Sequence, residues 1–191
     1  MLFRSREWQM PSHFQNAISI GRLDPSKGIK EIIESIGSLI PKNSNFELAF
    51  IGAPSNDDSK RLFEATVLYA KSTFPNLDIK VHGIKDRESI ASLLPSYSFF
   101  IHAFRGSLDK VLIEATLVGI PVVSINKGFQ DEYGTWSMKR TDSLIDELSA
   151  FLGTPREEIL KKNEERYQES LNNHTIEGWI RRLNSAICGG E

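Results

Sequence analysis

The chain has 191 residues, 40% apolar, 9% aromatic and 25% charged, a composition that excludes a disordered or low-complexity segment. That length buries enough surface to be stable without disulfides or metal, and the net charge of −2 argues against a nucleic-acid binder with a uniformly basic surface. The single cysteine, Cys188, excludes an internal disulfide and fits a reducing cytoplasm. The apolar runs fall far short of the roughly 20 residues of a membrane helix, and with no basic-then-apolar pattern in the first residues a secretory leader is not expected.

Residues 1–16 show neither helical nor strand periodicity and read as a leader or linker remnant. Residues 17–20 are a short apolar strand that stops at Gly21, and residues 28–40 place Ile29, Ile32, Ile33, Ile36 and Ile40 at helical spacing before Pro41. A second strand spans 46–51, and Asp57-Asp58-Ser59 would cap the helix that follows. The third strand is 77–82, followed by a short helix over 86–94. The fourth strand is 99–104, a helix spans 111–118, and the fifth strand is 120–125. Residues 127–140 read as a loop, with helices predicted near 142–152, 155–170 and 176–187. The acidic and basic residues between Glu157 and Glu165 form a solvated helix face.

Apolar strands without strict alternation, separated by amphipathic helices, describe a parallel sheet covered on both faces. The expected fold is therefore α/β: a doubly wound, Rossmann-like parallel sheet flanked by helices. Residues 17–126 form its core, and residues 127–191 add a loop and C-terminal helices that complete the same domain.

Ligands of such sheets bind outside the carboxyl ends of the strands. After the first strand, Gly21 to Gly28 (GRLDPSKG) carries two cations five positions apart. Arg22 is a planar fork and Lys27 a mobile point charge, both suited to phosphate oxygens, and Gly28 leaves helix amides open to an anion. The same loop reads equally as a turn with two solvated cations. It is neither the dinucleotide glycine fingerprint nor a Walker loop.

After the fourth strand, Arg105-Gly106-Ser107-Leu108-Asp109-Lys110-Val111 leads into a helix that Ser107 or Asp109 could cap. Glu114 lies four residues beyond Lys110. The pair is either an ordinary surface ion pair, or Glu114, embedded in an apolar turn, serves ligand hydroxyls. Gly52 and Gly83 end the second and third strands, where glycine allows a ligand close to the backbone or simply makes a turn. His13, His82, His102 and His174 have no metal-like spacing, and His102 alone falls near a strand end at the site. Asp57-Asp58 and Asp131-Glu132 read as a cap and a loop rather than as paired catalytic acids.

Taken together, SIGRLDPSKGIKEIIESI, ELAFIG, VHGIKDRESIASLLPSYSFFIHA and GSLDKVLIEATLVGIPVVS resemble the C-terminal, donor-binding domain of group 1 glycosyltransferases of GT-B fold, over about residues 17–126. The resemblance implies transfer of a sugar from a UDP- or GDP-linked donor, with retention and without a bound metal or other cofactor, to a glycan or lipid-linked acceptor. Arg22 and Lys27 match the pair that grips the diphosphate and stabilises the leaving group. Glu114 matches the second glutamate of the E-x7-E element, which binds ribose. Residues Ser107 to Val111 match the loop whose amides meet phosphates and sugar. Gly83 and Ile84 match the turn against the base, and Gly21, Gly52 and Gly106 complete the donor-binding set.

Two departures stand out. The first glutamate of E-x7-E falls on Gly106, with Arg105 where threonine is common. Only 16 residues precede the first strand, whereas the family builds an acceptor domain there. The resemblance therefore implies an N-terminal acceptor domain or partner subunit elsewhere, through which peripheral membrane association would arise, with no transmembrane segment and no nucleic acid. Leu2, Phe3, Trp8, Trp136 and Trp179 are candidate docking residues for it. Two other readings remain open: a non-catalytic partner-binding module of the same fold, or half of a GT-B-like sugar-nucleotide epimerase.

Overall fold

The structure, a computed structural model, describes residues 9–41 and 43–180. Leu2, Phe3, Trp8, Cys188 and the end of the expected last helix lie outside the described residues. Five strands, β1 (Asn16–Ile20), β2 (Phe46–Ile51), β3 (Leu77–Val81), β4 (Phe99–His102) and β5 (Val122–Ser124), form one parallel sheet in the order β3-β2-β1-β4-β5. Ile18 at the centre of β1 lies opposite Ala49 of β2 and Phe100 of β4.

The helices are α1 (Ile29–Leu39), α2 (Asp57–Thr73), α3 (Arg87–Leu93), α4 (Lys110–Val118), α5 (Lys127–Tyr133), α6 (Leu144–Gly153) and α7 (Arg156–His174), and residues 176–180 are also helical. In α1 the isoleucine stripe Ile29, Ile32, Ile33 and Ile36 is buried, and the helix ends at Ile40, whose extended backbone suits the proline after it.

Successive strand residues divide between the two faces because their side chains alternate. Ala17, Leu48, Phe50, Phe99, Ile101 and Val123 face α1, α2 and α6. Ile18, Ala49, Ile51, Phe100 and Val122 face α4 and α5. On the first face Phe151 lies 4.9 Å from Phe14, 5.1 Å from Phe99 and 5.0 Å from Trp136 between ring centroids. Truncating a buried aromatic at the centre of such a cluster costs about 3–5 kcal/mol.

Two local readings are corrected. Residues 127–140 are not all loop: Lys127–Tyr133 is α5, capped by Asn126 and holding Phe129, Gln130 and Tyr133 buried. Two turns are too short to register as a period, and Gln130 is buried because its side-chain nitrogen donates to the carbonyls of Ser124 and Thr141. The cap of α2 is Asn56, whose side chain accepts from the Ser59 amide at 2.8 Å; Asp57 and Asp58 occupy the first turn instead, where the helix dipole favours them.

The charged run in α7 is mostly solvated, but Arg166 of the same helix is buried. Its guanidinium donates to the carbonyls of Tyr133, Val122 and Gly134 and lies over the Trp136 ring, pinning α7 to the segment after α5. α6 packs on α1, and α7 on α4.

Candidate functional site

From β1 the chain moves outward to β2 and β3, then returns to place β4 on the other side of β1. The loops after β1 and β4 therefore diverge and open a crevice at their carboxyl ends, where open α/β sheets take ligands.

The loop after β1 is held from beneath. Gly21 (φ 152°) donates to the Ile51 carbonyl at 3.0 Å and Leu23 to that of Ala53 at 3.0 Å. Asp24 is buried and accepts from the Ser55 amide at 2.9 Å, a bond that keeps its carboxyl below the usual range. One turn of 3-10 helix, Pro25–Lys27, then delivers the chain to Gly28, the N-cap of α1. Gly28 sits at φ 67°, and a Cβ there would come 2.6 Å from that of Ala103, so β4 and α1 approach as only glycine permits. Arg22 projects into solvent with Nε 3.6 Å from Asp24. Lys27 turns inward: its Nζ is 2.6 Å from Asp109 Oδ2 and 3.9 Å from the centre of the Phe104 ring.

Across the crevice, the loop after β4 is fixed by two side chains. Arg105 forks onto both oxygens of Glu31 in α1, at 2.8 Å each, and donates to the Asp142 carbonyl. Asn126, fully buried at the end of β5, spreads its amide over the carbonyls of Phe104, Gly106 and Ser107 at 3.0–3.1 Å while its oxygen caps α5. Leu108 is half-buried against Gly128 of α5.

Asp109 occupies the N-cap of α4 but does not cap it; its carboxylate points to Lys27. The Gly28 start of α1 also lacks a side-chain cap, whereas α2, α3, α5 and α6 each have one. Among the described residues, the two helices that open beside β1 and β4 thus start without a side-chain cap, as does α7 elsewhere, and uncapped first-turn amides are the feature that draws anions to helix N-termini.

His102 ends β4 beneath this arrangement. Its side chain is 3% exposed, and Nε2 lies 3.4 Å from the same Asp109 oxygen that Lys27 contacts, too long for a close hydrogen bond. Burial pushes the imidazole below its ordinary value. His102 foremost, and Lys27 with it, holds the Asp109 carboxyl well below the usual carboxylate range.

The other expected residues surround this centre. Gly52 (φ 139°) donates to the Gly83 carbonyl at 2.8 Å, and a Cβ on it would lie 1.9 Å from the Gly21 carbonyl oxygen, so the three strand-end glycines interlock. Gly83 (φ 67°) has open space about it, and Ile84 is 81% exposed. Gly106, Ser107 and Lys110 are exposed, while Val111 is half-buried. Glu114 is half-buried, and its ion pair among the described residues is with Arg87 of α3 at 2.9 Å rather than with Lys110. Sequence reasoning missed Arg87 and Asn126 and set His102 aside. The signal available for Asn126 was a polar residue directly after a buried strand. A separate, mainly apolar cavity of about 640 Å³, lined by Phe14, Phe46 and Phe99, lies where β2 and β4 begin, away from the crevice.

Fold and site together define a doubly wound α/β domain whose crevice, at its topological switch point, carries two cations, Arg22 and Lys27, and two uncapped helix starts. Residues 5–135, more than half of the chain, match the family model described as "Glycosyl transferases group 1", and the chain belongs to that family. No curated protein matches it. Among solved structures it is similar to a mutant of S. aureus TarM in complex with fondaparinux, alpha-GlcNAc-glycerol and UDP (18% identity, 95% of this chain and 38% of that one, TM-score 0.64). It is similar also to Anabaena HepE in complex with UDP and glucose (15%, 91% and 48%, TM-score 0.69). A third is the catalytic domain of the cholesterol-alpha-glucosyltransferase of Helicobacter pylori (16%, 84% and 99%, TM-score 0.63). At these identities the likeness shows a shared fold. The chain spans less than half the length of the first two. Among the described residues no helix is long and apolar enough to cross a membrane.

Proposed function

We propose that this chain is the nucleotide-sugar-binding half of a retaining glycosyltransferase that moves a sugar from a nucleoside diphosphate donor to a glycan or lipid-linked acceptor. The observation that carries the reading is Lys27, facing the uncapped start of α4 across the β1–β4 crevice with Arg22 above it. The donor diphosphate would lie between these cations and the amides at Ser107 to Val111. Breaking the sugar–phosphate bond builds negative charge on the leaving diphosphate. Fixed cations and helix amides that meet that charge lower the barrier without having to reorganise. Glu114, on the next turn of α4, would take the ribose hydroxyls, with Gly83 and Ile84 against the base. Gly106 stands where the family's first glutamate would, and the Phe104 ring fills the space that a side chain there would enter.

The complexes of TarM and HepE with UDP support testing a uridine nucleotide first. The acceptor would be held by an N-terminal domain or a partner subunit, which places catalysis at the junction of the two, with residues 127–191 completing the donor domain. Calorimetric titration of this chain with UDP, GDP and ADP, with and without magnesium, tests the reading. Selective, metal-independent binding of one of them, lost in Arg22→Ala, is the expected result. Failure of all three at millimolar concentration would overturn it in favour of a partner-binding module.

A further inference from the structure

The donor-site reading gives His102 no role, yet its surroundings are specific. Among the described residues both ring nitrogens lack a close hydrogen-bond partner, and the flanking rings of Phe100 and Phe104, 6.3 and 6.2 Å away between centroids, offer none. Leaving a buried polar atom unsatisfied is destabilising, so a ring placed here needs a reason. Nε2 is directed at Asp109 Oδ2, and Lys27 Nζ meets that same oxygen. Three ionisable groups from the ends of β4, the turn before α1 and the start of α4 thus converge on one atom.

The charge arithmetic of this cluster changes when a ligand arrives. In the free protein the Lys27 ammonium neutralises the Asp109 carboxylate, and a second cation in so buried a place would be repelled and desolvated. A diphosphate that draws Lys27 away strips the carboxylate of its counter-ion and adds negative charge nearby. His102 is the group left within reach. Among the described residues the charged groups that face it are Asp109 and Lys27, and Arg22 lines the same cleft of about 10 Å³ with Lys27 and Ser19.

We propose that His102 is a positioning residue of the donor site: in the free protein its neutral ring packs beneath Asp109, 3.4 Å from Oδ2 and without a hydrogen bond to it, and it takes up one proton from solvent and closes that bond as Lys27 passes from Asp109 to the diphosphate. This rests on the donor-site reading. Of the two charged partners, Asp109 favours the protonated ring and Lys27 opposes it, so removing the ammonium acts in the direction required. Because binding consumes a proton, the affinity for a nucleoside diphosphate rises as pH falls towards the range in which imidazoles titrate.

The test is calorimetric titration with UDP, GDP and ADP, and with the corresponding nucleosides, near neutral pH in two buffers of different ionisation enthalpy. For the wild type, the nucleotide that binds should take up a large fraction of one proton and its nucleoside none. His102→Gln keeps a polar group beside Asp109 but cannot accept the proton. It should stay within a few-fold of wild-type affinity, with no uptake and a flat pH profile. His102→Phe removes the polar group and should lose at least about tenfold, with thermal unfolding of both variants followed to confirm that they fold. Wild-type binding without proton uptake, or undiminished uptake in His102→Gln, would overturn this inference and leave the donor site standing. Failure of the wild type to bind any of the three nucleotides would overturn both.

Discussion

Lys27 and Asp109 stand 82 positions apart in the chain and meet at 2.6 Å across the crevice between β1 and β4. The pair joins the turn before α1 to the start of α4, so the cation best placed for a phosphate is already engaged in the free protein. On the proposed donor-site reading, a diphosphate binding there would exchange anions on Lys27 rather than meet a free charge, and the net gain would be the difference between two charge-assisted bonds.

Loss of either cation should therefore be selective for phosphate. Lys27→Met and Arg22→Ala are expected to weaken nucleoside diphosphate binding at least tenfold, about 1.4 kcal/mol, while leaving the parent nucleoside unchanged. Calorimetry with both ligands checks this; equal losses for nucleotide and nucleoside would remove these residues from the phosphate site.

Glu114 gives the complementary pattern. Its carboxylate is assigned to ribose, so Glu114→Ala should weaken nucleotide and nucleoside alike, by at least about tenfold. Arg87→Ala, which removes a mostly exposed partner of that carboxylate, should change stability by less than about 1 kcal/mol. Thermal unfolding alongside the titrations separates the two effects.

Gly52 tests the architecture beneath the site. With φ at 139° and only 1.9 Å between the position of a Cβ and the Gly21 carbonyl oxygen, no side chain is tolerated without moving the backbone after β1. Gly52→Ala should destabilise the fold by about 1–3 kcal/mol, read from urea unfolding, and weaken nucleotide binding through Gly21 and Arg22.

Asn126 holds the opposite wall. Asn126→Ala removes the cap of α5 and the donor shared by the carbonyls of Phe104, Gly106 and Ser107. The expected loss is about 2–4 kcal/mol in urea unfolding. A variant as stable as the wild type would show that water replaces those bonds at no cost.

Acid should unfold the protein in two windows of the same sign. The buried ring of His102 resists a proton that the unfolded chain accepts near 6.5, so stability begins to fall as pH drops through that value. The Asp109 carboxyl stays ionised to lower pH than its unfolded value of 3.8, so a further loss sets in as pH falls below about 4. Urea unfolding across this range should show the upper window absent in His102→Gln and the lower one reduced in Asp109→Asn, where Asp24 still contributes.

Much of the fold was legible because it rests on local periodicity. The isoleucine stripe of α1 and the apolar runs of the five strands announce themselves over several residues, and glycine or proline marks where each stops. α5 escaped because its two turns carry no measurable period, and its burial depends on Gln130 and Asn126 reaching carbonyls supplied by other segments. The cap of α2 moved by one residue because several neighbouring residues are all competent to cap, and only the backbone dihedrals choose among them.

For the candidate site, the sequence alone supplied the chemical inventory: Arg22, Lys27, the Gly106 to Val111 loop and Glu114, each at the end of a strand or in the first turns of a helix, together with the family they resemble. The tertiary structure decided the pairings. Strand order brings β4 beside β1, which sets Asp109 and His102 against Lys27, while α3 brings Arg87 rather than Lys110 to Glu114. Hydrogen-bond and Coulomb energies depend on distances of a few ångströms between residues dozens of positions apart, and only closure of the sheet sets those distances.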